Sequence, residues 1–81
     1  MTHEVIWSPS AINAAASFLA DDGPGLSRLM DAIDLLEIEP RPDGSIELGS
    51  PDLRRVQLGR YRVLYEIVDS TVSIVHVGRL G

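Results

Sequence analysis

All the permanent positive side-chain charge of this 81-residue chain comes from seven arginines, and they are unevenly placed. Residues 1–52 carry ten carboxylates against Arg28 and Arg41, a balance of −8. Residues 53–81 carry Arg54, Arg55, Arg60, Arg62 and Arg79 against Glu66 and Asp69, a balance of +3. The net charge of −5 argues at first against nucleic acid as a partner, but it averages over a positive C-terminal third. A guanidinium is planar and permanently charged, and its forked donors fit phosphate oxygens two at a time. Arginines at this density can therefore bind a phosphodiester and stabilise charge that develops on it. They cannot serve as a general base, because their pKa lies above about 12.

Other chemistries find less support. The chain has no cysteine, which excludes disulfides and thiolate ligands, and its two histidines, His3 and His76, are too few for a metal cage. No metal and no cofactor is expected. No serine sits in a nucleophile elbow, and Gly23-Pro24-Gly25 reads as a helix-breaking turn, not a phosphate-binding glycine loop. Asp31, Asp34, Glu37 and Glu39 read as the solvated side of a helix.

Elements that could present the arginines follow from the spacing of apolar residues. His3 to Trp7 is a short β-prone run closed by Ser8-Pro9, an opening strand followed by a helix that Ser8 caps and Pro9 begins. Ile12, Ala15, Ala16 and Leu19 recur along it at helical spacing. After the break at residues 21–25, Leu26, Leu29, Met30, Ile33 and Leu36 define a second amphipathic helix, which makes a hairpin with the first. The stretch from Pro40 to Pro51 shows no sustained period and reads as a loop. Three β-prone runs follow, Leu53 to Leu58, Arg60 to Val68 and Thr71 to Val77, with connections short enough for an antiparallel meander. The reading is a single α+β domain over residues 1–81, in the order β-α-α-β-β-β, with the helical hairpin on one face of a small, mainly antiparallel twisted sheet. The pattern leaves the partner of the first strand open.

Alternation along the strands sorts their side chains by face. Tyr61, Val63, Tyr65 and Ile67 form an inward set, joined by Val56 and Leu58 and by Val72, Ile74 and His76. Arg55, Gln57, Arg60, Arg62, Ser73 and Arg79 then point to the uncovered face, together with Leu64, Val68, Val75 and Val77. A solvated face is the plainer reading, yet arginines on adjacent strands repel one another unless an anion or acidic partner intervenes. So many outward aliphatics point to a partner or to a covering segment of the chain. No stretch approaches the length of a membrane span, and the N-terminal residues lack the basic and apolar regions of a signal peptide, so a cytoplasmic protein is expected.

Leu58-Gly59-Arg60-Tyr61-Arg62-Val63-Leu64-Tyr65-Glu66-Ile67 resembles the central motif of RelE/ParE-type toxins. The resemblance extends to Val5-Ile6-Trp7-Ser8, to Leu53-Arg54-Arg55-Val56 and to Val75-His76-Val77-Gly78-Arg79, and so covers nearly the whole chain. It implies the toxin of a bacterial type II toxin–antitoxin pair, bound by a cognate antitoxin. RelE-like members cleave mRNA in the ribosomal A site, without a metal; ParE-like members inhibit DNA gyrase without covalent chemistry. Carried over from the first branch, Arg55 and Arg62 would clamp phosphate and Arg79 would stabilise the transition state, with Arg54, Gln57 and Arg60 contacting RNA. No tyrosine follows Arg79 in this sequence, where many RNA-cleaving relatives place one. Two other activities therefore stay open, gyrase inhibition and an antitoxin-binding module without catalysis.

Overall fold

The computed structural model describes residues 2–80. Its elements are β1 (Glu4–Trp7), α1 (Pro9–Asp21), α2 (Gly23–Asp34), a single 3-10 turn (Leu35–Glu37), β2 (Ile46–Ser50), β3 (Leu53–Leu58), β4 (Tyr61–Val68) and β5 (Thr71–Arg79). The strands form one sheet in the order β1-β5-β4-β3-β2, antiparallel throughout except for β1, which pairs in parallel with β5. The helices cover one face and leave the other open, as expected. No helix among the described residues is long and apolar enough to cross a membrane.

The core is the seam between α2 and the sheet. Leu26, Leu29, Ile33 and Leu36 pack on Val63, Tyr65, Ile67, Val72, Ile74 and Val77, all of them buried. The Tyr65 hydroxyl is buried with its ring and donates to the Pro40 carbonyl at 2.7 Å, so the chain leaving the helices is tied to the middle of the sheet. Burial drives the Tyr65 phenol above its ordinary pKa.

Two of the elements differ from expectation. Residues 40–52 are not all loop. Ile46–Ser50 pairs with β3 as an edge strand whose register is irregular between Glu47 and Ser50. Gly49 interrupts so short a run, and only the ready partner β3 gives it an extended conformation. In α1 the buried stripe is also rotated. Ile12 and Leu19 are exposed, while Ala11 is fully buried and Ala14, Ala15 and Phe18 pack against the core.

Ser8 is the reason for that rotation. Its hydroxyl accepts the Ala11 N–H at 3.1 Å and donates to the Val75 carbonyl at 3.0 Å, and its own N–H bonds the Ile74 carbonyl. The helix is thereby pinned to β5 by the residue that caps it. Positions 11, 15 and 18 follow at three- and four-residue steps on the pinned side, and alanines there let the helix axis lie close to the sheet.

Candidate functional site

On the uncovered face, Arg55 stands opposite Leu64, which stands opposite His76 on the next strand. In the adjoining row, Gln57 is opposite Arg62, which is opposite Gly78. Arg55, Gln57 and Arg62 therefore come together as the alternation requires. Arg55 and Arg62 are half-buried, and among the described residues neither has an ion-pair partner. Beside Arg62 lies a recess of about 190 Å³, lined by Arg62, His76, Gly78, Arg79 and Leu80. An unpaired guanidinium beside such a recess can bind the oxygens of a phosphodiester, with Gln57 as a neutral donor opposite it and Arg55 in the next row.

The third strand departs from simple alternation. Leu64 pairs with His76, but Tyr65 pairs with Ile74, so Val75 is an extra residue and β5 carries a bulge there. The bulged Val75 carbonyl is the one that takes the Ser8 hydroxyl. Beyond the bulge every side chain changes face. His76, expected in the core, is exposed on the open face, and Val77, expected outside, is buried opposite Val63. Arg79, expected on the open face, stands opposite Tyr61 on the helix side.

Arg79 has company there. Its guanidinium is ion-paired with Asp21 at the end of α1 and lies 4.9 Å from the centroid of the Phe18 ring. The Asp21 contact raises the Arg79 pKa further above its ordinary value. Arg60 likewise turns from its expected place to the helix side, where its Nη2 is 3.8 Å from Asp22 Oδ2. It belongs to the turn before β4, and alternation does not govern a turn. Arg54 also faces the helix side, opposite Tyr65, and its side chain is only 12% exposed. It donates to Ser45 Oγ at 2.8 Å and to the Pro51 carbonyl at 3.0 Å, with Glu47 3.6 Å away. Of the six residues the sequence singled out, the structure brings Arg55, Gln57 and Arg62 together on the open face and turns Arg54, Arg60 and Arg79 toward the helix side, with Arg79 still bordering the recess beside Arg62.

Asp22 organises the helix-side group. Its carboxylate accepts the Gly25 N–H at 3.1 Å, capping α2, and accepts the Tyr61 hydroxyl at 2.8 Å. A Cβ on Gly25 would fall 2.1 Å from Asp22 Oδ2, so a larger residue there would push the capping carboxylate from its place. The Tyr61 hydrogen bond, the Gly25 amide and the nearby Arg60 and Arg79 charges together lower the Asp22 pKa, against a smaller opposing effect of burial. The Tyr61 phenol is raised, first by burial and then by its bond to Asp22.

His76 is the open-face residue that strand parity missed. The hint lay in the sequence itself, for a histidine at an inward position followed by an apolar Val77 reverses the polarity expected of that strand.

A family model described as the ParE toxin of the type II toxin–antitoxin system parDE matches residues 5–80. The chain belongs to the RelE/ParE toxin superfamily. Among solved structures, this toxin is similar to a chain of the archaeal RelE–RelB complex from Pyrococcus horikoshii OT3, with 30% identity and a TM-score of 0.84 over 100% of this chain and 98% of that one. A chain of the RelBE2 toxin–antitoxin complex from Mycobacterium tuberculosis shares the fold at 21% identity and a TM-score of 0.81, over 98% of this chain and 99% of that one. So does one from the chromosomal ParDE system of P. aeruginosa, at 11% identity and a TM-score of 0.77, over 99% and 98%. Sequence comparison with curated proteins gives no match.

Proposed function

We propose that this toxin is a ribosome-dependent mRNA endoribonuclease, kept inactive by a cognate antitoxin. The observation that carries the reading is the pair Arg55 and Arg62, in adjoining rows of neighbouring strands on the uncovered face and without carboxylate partners among the described residues. Every other arginine of the C-terminal third is paired with an acidic side chain. Arginines left unpaired on one face favour an anionic ligand there, and phosphates of a message held in the ribosomal A site suit their fork. In the reaction, the ribose 2′-hydroxyl attacks the adjacent phosphorus. Arg55 and Arg62 fix the phosphate and stabilise charge that builds on its oxygens, and Gln57 donates a hydrogen bond. Arg54 and Arg60 stand too far round the sheet for the scissile phosphate and would meet RNA only at its flanks. Arg79 would act on the transition state only after leaving Asp21.

The 30% identity to a chain of an archaeal RelE–RelB complex, against 11% to one of a ParDE system, favours the RNA-cleaving branch. Such an activity belongs in the bacterial cytoplasm, where ribosomes translate. The antitoxin has apolar surface to cover. A groove of about 340 Å³ is lined by Leu35, Leu36, Ile38, Pro42 and Val56, with Leu35 and Ile38 highly exposed.

Induced expression of the chain and of Arg62→Ala, followed by mapping of mRNA ends at translated codons, tests the reading. Cleavage and growth arrest that both disappear in the variant are expected. Growth arrest with intact mRNA would refute the nuclease. It would support the second reading, gyrase inhibition, which the parDE description of the matching family favours. A wild-type chain that arrests nothing would leave an antitoxin-binding module.

A further inference from the structure

The nuclease reading leaves one step without a residue, because neither Arg55 nor Arg62 can accept a proton from the attacking hydroxyl. The bulge at Val75 supplies a candidate. It turns His76 out of the core and onto the same face as both arginines. The residue two places on is Gly78, the cross-strand partner of Arg62. A Cβ built on Gly78 would meet His76 Nε2 at 3.2 Å, so the imidazole leans along β5 over the space a side chain would fill, toward the strand position of Arg62. His76, Gly78 and Arg62 line one recess. Two of the charged groups that face this imidazole are Arg62 on β4 and, across Leu64, Arg55 on β3. Arg79 of its own strand also lines the recess and is ion-paired with Asp21 of α1; among the described residues no carboxylate side chain lines the recess.

We infer that His76 is the general base of this toxin, accepting the 2′-hydroxyl proton of the nucleotide whose phosphate Arg62 holds. The inference rests on the nuclease reading and adds the proton acceptor that reading lacks. Histidine suits the task because an imidazole exchanges a proton near neutral pH, and its free nitrogen lone pair is the acceptor. As the hydroxyl proton passes to Nε2, the 2′-oxygen forms a bond to phosphorus and the bond from phosphorus to the 5′-oxygen breaks. The products are a 2′,3′-cyclic phosphate and a 5′-hydroxyl. The departing 5′-oxygen takes its proton from water, and the imidazolium returns its own to solvent, so protons balance with no metal and no oxidant.

Single-turnover cleavage of a defined message on purified ribosomes, measured across pH for wild type, His76→Ala, His76→Gln and Gly78→Ala, decides the matter. His76 is exposed, so its two variants should keep the wild-type melting midpoint. Wild-type cleavage should quicken as pH rises, because only an unprotonated base accepts the hydroxyl proton. His76→Ala and His76→Gln should be slower by about 10²-fold or more and lose that rise. Free imidazole in the buffer should restore part of the rate to His76→Ala. Gly78→Ala, which pushes the ring from its place, should slow cleavage while keeping the pH dependence. Histidine variants that cleave at the wild-type rate would overturn the base and leave the nuclease standing. Slow variants that keep the wild-type pH dependence and ignore imidazole would also overturn it, since His76 would then only position RNA. Failure of wild type to cleave on ribosomes would remove both readings together.

Discussion

The two sides of the β4–β5 ribbon use the same residue type in opposite ways. On the helix side, Arg60 and Arg79 meet Asp22 and Asp21, and Phe18 and Tyr61 fill the space between them with rings 5.6 Å apart. On the open side, Arg55 stands opposite Leu64 and Arg62 opposite Gln57 and Gly78, and neither is ion-paired among the described residues. A guanidinium that has its carboxylate holds the fold together, and one left without it has its donors free for something outside the chain. Counting arginines in the C-terminal third treats both kinds alike. Sorting them by partner separates an anchor from a binding surface.

The sharpest way to break this division is to exchange the losses. Arg62→Ala should lower the rate of mRNA cleavage by about 10²- to 10³-fold and leave the thermal midpoint unchanged. Arg79→Ala should do the reverse, lowering the midpoint and affecting cleavage less. If Arg79→Ala abolished cleavage as fully as Arg62→Ala without destabilising the protein, the two sides would not be functionally distinct.

Next in size is a test of the helix-side frame itself. Tyr65→Phe leaves the Pro40 carbonyl buried and without its donor, and should cost about 1–3 kcal/mol in denaturant unfolding, with cleavage per folded molecule retained. Ser8→Ala sits between the two sides, because that hydroxyl both caps α1 and holds the bulged Val75 carbonyl. It should cost about 1 kcal/mol. Cleavage should also fall, because loosening the bulge loosens the presentation of His76. A variant that lost only stability would show that the bulge persists without Ser8.

The smallest expected effect is a matter of pH. Asp22 titrates lower in the folded state than in the unfolded chain, so its share of stability is present above the ordinary carboxylate pKa and is lost as pH falls through the folded value. Tyr61 titrates higher when folded, so its share is present below a phenol's ordinary value of about 10 and is lost as pH rises through the folded one. Asp22→Asn should flatten the acid limb of a stability–pH curve, and Tyr61→Phe the alkaline limb. Neither should change the pH dependence of cleavage, which the nuclease proposal assigns to the other side of the sheet.

Much of this arrangement is legible along the chain. The helical spacing of Leu26, Leu29, Ile33 and Leu36, the alternation of Tyr61, Val63, Tyr65 and Ile67, and the cap at Ser8 are local properties, set by residues within a turn or a strand of each other. They determine a helical hairpin on a meander, and with it the outward aim of Arg55, Gln57 and Arg62. The motif around Arg60-Tyr61-Arg62 also determined the family.

What tertiary structure decided lies beyond the reach of local spacing. Alternation carries a face assignment along a strand only while pairing stays regular, and the bulge at Val75 is held by a serine 67 residues earlier. One inserted residue reversed His76, Val77 and Arg79 together. The partner of β1 and the existence of β2 were settled by strands distant in sequence or too short to declare themselves. Whether an arginine is free or paired depends likewise on which carboxylate the fold brings to it, and for Arg79 that carboxylate is 58 residues away. Residue types and their spacing are properties of the sequence alone, whereas the pairing of charges exists only once the chain has closed on itself.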